Sequence, residues 1–148
     1  ASNASMELVK IYEEWGMPCV GVCTVEESEI SKYGVVNLSG DMVIGLVEKP
    51  SADEAPSNFI LCGRYLFPGH TSEILQKYPV SEFGEMQSIC LLNHLMENDG
   101  LRAVNLDQME IYDSGDPLSW LQSQVDHALR RNDLSDRMKK WIKERIGE

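Results

Sequence analysis

The 148-residue sequence predicts an α/β fold on a mixed sheet. An amphipathic stretch runs directly into an uncharged, β-branched segment. Two further strand-like runs are joined by a short Ser-Gly-Asp turn, and helix-period segments return between and after the strands.

The first five residues, ASNAS, lack apolar content and read as a cloning remnant (1–5), so the fold is expected to begin near Met6 and to occupy 6–148. In MELVKIYEEW, Leu8, Ile11, Tyr12 and Trp15 share one stripe of a helix that Gly16 stops. MPCVGVCTV follows as a strand covered on both faces. After the acidic EESEI, the segment KYGVVNLSGDMVIGLVEKP holds two strands around a hairpin turn at Ser39, Gly40 and Asp41. SNFILCGRYLF reads as another strand, residues 68–78 and 84–98 as helices, and LRAVNL and MEIYD as short strands. The last segment reads as two helices. Asp116 is placed to cap the first with Pro117 at its first position, and Asp133 or Ser135 to cap the second.

At this length about 70% of the unfolded chain's surface can be buried, enough for a core without disulfides. Cys19, Cys23, Cys62 and Cys90 form no CxxC and lie in apolar runs, where cysteine behaves as a small hydrophobe. A reduced, cytoplasmic setting follows. No apolar run approaches the length that spans a bilayer, so no membrane is implied. The net charge of -11 repels phosphate backbones and argues against nucleic acid as a partner. No GxGxxG or GxxxxGK[ST] is present, so nothing here cradles a triphosphate.

The candidate site begins where an apolar run stops at Glu48, Lys49 and Pro50. Proline removes a ladder donor and biases Lys49 away from helical dihedrals, so strand pairing ends there. Strand ends line the ligand crevice of α/β sheets, where an acid and a base suit a ligand bearing hydroxyls and an anion, such as a sugar phosphate. Neighbouring strand residues point to opposite faces, so a bulge or twist is needed for both to reach one ligand. The alternative is a solvated surface pair. Gly34, in YGVV, and Gly63 mark places where backbone can approach a ligand, and Arg64 can pair a carboxylate or phosphate or form a surface salt bridge. Asp113 and Asp116 lead into a helix, where a carboxylate caps the helix or holds a hard cation. His70, His94 and His127 show no metal-ligand spacing.

Taken in order, YGVV, LVEKP, APSNFILCGRYLF, GEMQ, YDSGDPLSWL and HALRRNDL resemble the second half of the bacterial UTP–glucose-1-phosphate uridylyltransferases, within the sugar nucleotidyltransferase family, from about Met6 to about Leu134. The resemblance implies a Rossmann-like mixed sheet, present as a partial, C-terminal fragment, and a parent enzyme that joins glucose 1-phosphate to UTP with Mg²⁺ and releases pyrophosphate. It implies that Glu48 accepts hydrogen bonds from glucose hydroxyls, that Lys49 holds the sugar phosphate as the catalytic cation, and that Gly34 gives its backbone to the sugar. It places Asn58, Gly63 and Arg64 in pocket-lining segments and makes Asp113 the metal-site aspartate. Ser114 departs from the usual isoleucine, and GEMQS from the usual GGEIQLTD, which leaves Glu85 and Gln87 without an assigned role.

The family's glycine-rich UTP loop is missing, so the chain is expected to be inactive alone. The sheet edge left open by the missing strands predicts a homo-oligomer, by edge pairing or by a swap. The alternatives are a thymidylyltransferase-like relative, since the missing half selects the base, and a noncatalytic sugar-phosphate-binding or oligomerisation module.

Overall fold

A computed structural model describes residues 3–77 and 88–147. They divide into two units, the first ending at Met109 and the second running from Glu110.

Helix α1 (Ala4–Trp15) opens the first unit. It starts two residues earlier than the sequence suggests because Asn3 is a working N-cap, its side chain accepting the Met6 N–H at 3.0 Å. Leu8 is buried, with Ala4, Ile11 and Tyr12 packed around the same cluster, so the helical stripe extends into the supposed remnant. Gly16 closes the helix in the left-handed region, φ 65°, its N–H reaching the Tyr12 carbonyl. Trp15 is half exposed and carries the Arg102 guanidinium 3.9 Å above its ring.

The sheet has five strands: β1 (Cys19–Thr24), β2 (Gly34–Ser39), β3 (Met42–Glu48), β4 (Phe59–Leu66) and β5 (Arg102–Asn105). Short 3-10 turns occupy Glu27–Lys32 and Ala52–Glu54. β1 is buried through Cys23, as its uncharged composition requires, and pairs antiparallel with β4 and parallel with β5. The sheet is therefore mixed, as predicted. β2 and β3 form the expected hairpin, with Ser39 opposite Met42 and Gly40 at φ 63° in the turn.

The open edge expected of a half-sheet is not found among the described residues. The strands close in the order β1-β4-β2-β3-β5. The hairpin bends until Met42 meets Arg102, where the Val43 N–H reaches the Leu101 carbonyl and the Ala103 N–H the Asp41 carbonyl. Beside this seam Asp41 pairs with the nearly buried Arg102. The β2–β4 seam likewise rests on one registered pair, Val35 with Ile60.

One face of the sheet packs Val20, Val22, Val36 and Val43 with Leu92 and Met96 of helix α3 (Ser88–Asn98). Around Cys23, Ile30, Val35 and Ile60 a second cluster covers the other face. Helix α2 (Thr71–Lys77) falls within the segment predicted helical over 68–78. Tyr78, the GEMQ stretch and the first residues of the helix predicted over 84–98 lie outside the described residues.

Residues 109–113, with which the first unit ends and the second begins, form no strand. Glu110 and Tyr112 are committed to the following helix instead, while Met109 packs in the cluster of Leu8 and Leu106. The Tyr112 hydroxyl donates to Asp126, and Glu110 and Asp126 both accept from Arg130. Helix α4 (Pro117–Arg130) is capped by Asp116, whose carboxylate accepts the Ser119 N–H at 2.7 Å. Asp116→Ala is expected to cost about 1 kcal/mol, read as a lower urea midpoint with an unchanged slope. Helix α5 (Ser135–Ile146) is preceded by Leu134 without a side-chain cap; Asp133 is held by Arg131 at 2.7 Å, and Ser135 is already the first helical residue, so neither expected cap forms.

Candidate functional site

The open end of the β2–β3 hairpin places Gly34 directly across from Glu48. Backbone pairing continues one step further, with the Lys49 N–H donating to the Tyr33 carbonyl at 3.1 Å, and stops at the buried Pro50.

Lys49 is the one non-glycine residue at positive φ among the described residues, at 46°. A side-chain-bearing residue in the left-handed region carries a cost of about 1–2 kcal/mol, and such outliers persist where surrounding structure enforces them. Here the Tyr33 hydrogen bond on one side and Pro50 on the other do so. The geometric consequence bears on the difficulty raised by the sequence. A left-handed residue leaves the two-residue alternation of a strand, so Lys49 is not bound to the face opposite Glu48.

Glu48 lies over the glycine. A Cβ at Gly34 would come within 3.0 Å of Glu48 Oε2 and 3.2 Å of Leu61 Cδ1, so the absent side chain makes room for this carboxylate. Glu48 and Lys49 are both exposed and Gly34 half-buried, which leaves this corner open to a ligand.

Sequence reasoning gave no role to Tyr65, whose phenol feels the Glu48 charge, or to its hydrogen-bond partner Ser88. Tyr65 faces the same cluster as Leu61 and stacks on Phe67 with ring centroids 5.6 Å apart. Burial, with smaller contributions from Cys62 and the Glu48 charge, pushes its phenol above the usual range, while a hydrogen bond with Ser88 at the start of α3 opposes this. The two-residue alternation Leu61–Gly63–Tyr65–Phe67 was the available signal, but it reads equally well as core.

The remaining predicted residues do not gather here. Asn58 lies before β4, its carbonyl accepting the Val25 N–H, and it lines a cavity of about 560 Å³ with Thr24, Glu26, Glu27 and Ser57. Because Val35 pairs with Ile60, Asn58 is on the side of that pair away from Gly34. Gly63 has φ 69° in the irregular part of β4, where the pairing with β1 shifts between Val20 and Val22. The Arg64 Cβ stands 3.1 Å from where a Gly21 Cβ would be, beside the Cys62 sulfur, so its side chain starts on the face opposite Leu61 and Glu48.

In the second unit, Asp113 Oδ1 accepts the Gly115 N–H at 2.8 Å and the Asp113 carbonyl accepts the Asp116 N–H, which is a turn-stabilising arrangement. No group of three or more His, Cys, Asp and Glu side chains is arranged to hold a metal ion among the described residues.

A model of the nucleotidyl transferase family matches residues 3–128. The UTP–glucose-1-phosphate uridylyltransferase of Escherichia coli K12 is 30% identical over 95% of this chain and 48% of its own length. The protein named UTP–glucose-1-phosphate uridylyltransferase 1 from Staphylococcus saprophyticus is 32% identical over 97% of this chain and 50% of its own. Among solved structures, the UTP-bound UGPase from Acinetobacter baumannii superposes with a TM-score of 0.78 at 25% identity, covering 93% of this chain and 49% of that one. The chain thus spans about half the length of the relatives it matches.

Proposed function

Because this chain belongs to the nucleotidyl transferase family, we propose that the Gly34–Glu48–Lys49 corner is the sugar-phosphate subsite of a UTP–glucose-1-phosphate uridylyltransferase. The observation that carries the reading is the left-handed Lys49 directly after a glutamate laid over Gly34. An acid that accepts from hydroxyls and a cation that opposes a phosphate occupy consecutive positions without the strand's alternation separating them.

In the proposed reaction an oxygen of the sugar phosphate attacks the α-phosphorus of UTP and pyrophosphate leaves. Two anions must be held together, so charge neutralisation and alignment dominate over covalent work by the protein. The Lys49 ammonium offsets the charge on the sugar phosphate, and Glu48 fixes the sugar through its hydroxyls. Leu61, whose Cδ1 stands 3.2 Å from where a Gly34 Cβ would be, supplies an apolar wall beside Glu48. A divalent cation such as Mg²⁺, when bound, would offset further phosphate charge. Asp113, in the second unit, is proposed separately as a metal-site aspartate that could offer such an ion one carboxylate; among the described residues no group of three or more His, Cys, Asp and Glu is arranged to hold a metal ion. Gly63, in β4, is proposed as a place where backbone approaches the ligand, and Asn58 and Arg64 as peripheral contacts. The cytoplasm is the proposed compartment.

Calorimetric titration with glucose 1-phosphate and, separately, with inorganic phosphate tests this reading. The chain is expected to bind glucose 1-phosphate saturably. Glu48→Ala should weaken the sugar phosphate about tenfold and leave phosphate unchanged. No saturable binding overturns the proposal and leaves an assembly module. Incubation of the chain with UTP, glucose 1-phosphate and Mg²⁺ is expected to form no UDP-glucose, and turnover would refute the reading that the nucleotide subsite lies outside this chain. Self-association is also proposed. Since the strands close on one another, it would use side-chain surfaces such as the exposed Leu118, Trp120 and Leu121 of α4 and not strand addition. A monodisperse monomer in light scattering removes it.

A further inference from the structure

On the side of the sheet opposite Glu48 lies a feature that sugar-phosphate binding does not use. In the β1–β4 register Cys23 stands across from Ile60, so Cys62, two positions on, is its diagonal neighbour on the same face. Both pack in the cluster of Cys23, Ile30, Val35 and Ile60. The Cys62 sulfur fills the space over Gly21, where a Cβ would approach it to 2.9 Å. The two thiols are close enough that each perturbs the ionisation of the other.

The two cysteines are not equivalent. Cys23 is 7% exposed, whereas Cys62 is only half-buried and precedes the bulged Gly63 and the exposed Arg64. The hydrogen bond from Cys23 holds the Cys62 thiol below its ordinary range against the opposing effect of burial, helped by the Arg64 N–H and the Arg64 charge. Donating that hydrogen bond, together with burial, pushes Cys23 up. An accessible, thiolate-favouring cysteine next to a second thiol is the arrangement in which oxidation proceeds to a disulfide. Cys19 offers a contrast: it is buried, its thiol donates to the Leu8 carbonyl at 3.3 Å, and burial pushes it up to about 11.

We propose that Cys62 and Cys23 form a hydroperoxide-reactive dithiol, Cys62 attacking and Cys23 resolving. The Cys62 thiolate attacks one oxygen of hydrogen peroxide; the O–O bond breaks, water leaves after taking up a proton, and a sulfenic acid stands on Cys62. The Cys23 sulfur then gives up its proton and attacks the sulfenic sulfur. The S–O bond breaks and hydroxide departs with that proton as a second water. Two thiols have lost two electrons and two protons, and the peroxide has been reduced to two waters.

The test exposes the reduced chain to one equivalent of hydrogen peroxide, then alkylates it in denaturant and maps its peptides by mass spectrometry. The expected result is an intrachain Cys23–Cys62 link, loss of two of the four thiols, and full recovery with dithiothreitol. Cys23→Ser should accumulate a dimedone adduct on Cys62, and Cys62→Ser should give neither adduct nor link. The parent chain decides the matter even if a variant misfolds. Oxidation of Cys19 or Cys90 as fast as Cys62, links between chains, or loss of the Cys62 thiol without the intrachain link overturns the proposal.

Discussion

Replacing Lys49 with alanine is expected to lower the affinity for glucose 1-phosphate by about 10- to 100-fold. A charge-assisted hydrogen bond contributes about 1.5–3 kcal/mol and each 1.4 kcal/mol is tenfold. The left-handed backbone at this position supplies an internal control. Alanine keeps the steric cost of positive φ, so Lys49→Ala should leave stability near that of the parent. Glycine removes that cost of about 1–2 kcal/mol while adding up to about 1 kcal/mol of unfolded-state entropy, so Lys49→Gly should be neutral to slightly stabilising. Both should lose binding equally. Calorimetry beside urea unfolding separates the ammonium from the backbone. Affinity within twofold of the parent in Lys49→Ala would place the anion elsewhere, and recovery of binding in Lys49→Gly would make the backbone, not the charge, the determinant.

The largest expected effect on stability is at Gly21, in the middle of the buried strand β1. A Cβ there would come within 2.7 Å of Leu106 Cδ1, 2.9 Å of the Cys62 sulfur and 3.1 Å of the Arg64 Cβ. Gly→Ala in a strand ordinarily gains about 0.4–1 kcal/mol through the unfolded chain. Three close contacts, one of them to a Cβ that moves only with its backbone, outweigh this, since overpacking a well-filled core costs about 1–3 kcal/mol. Gly21→Ala should therefore lower Tm by several degrees, and Gly21→Val by more. An unchanged Tm in the alanine variant would mean that β1 and β4 separate more easily than their register implies.

Much of the fold was legible because local signals and burial agree. The stripe Leu8, Ile11 and Tyr12, the uncharged run from Cys19 to Cys23, the Gly40 turn and the Asp116–Pro117 helix start all appear where the sequence puts them. Three elements were not legible. Asn3 looks like part of an inert leader until its side chain is seen capping α1. The alternation of MEIYD is the same whether its polar residues face solvent on a strand or bond to α4, and Arg130 and Asp126 determine the latter. The ring closure depends on the β3–β5 seam, whose one registered pair, Met42 and Arg102, joins residues 60 positions apart, which no local pattern encodes.

The site was legible in part. Glu48 and Lys49 stand out as charges ending an apolar run, but residue types give no hint that Lys49 is left-handed. Asn58 and Arg64 lie beside and within β4, which borders Gly34, yet its register places one toward a separate cavity and starts the other on the opposite face. Tyr65 and Ser88 were hidden because an aromatic in a strand and a serine at a helix start have ordinary structural uses.

The strand ring has a clasp. The hairpin tip is fastened to β5 by the amides of Val43 and Ala103 and by Asp41 on Arg102, two backbone bonds of about 1 kcal/mol each and one partly exposed ion pair. Parting β1 from β4 would instead sacrifice five registered positions. Such a bracelet unfastens at the clasp well before the β1–β4 link parts.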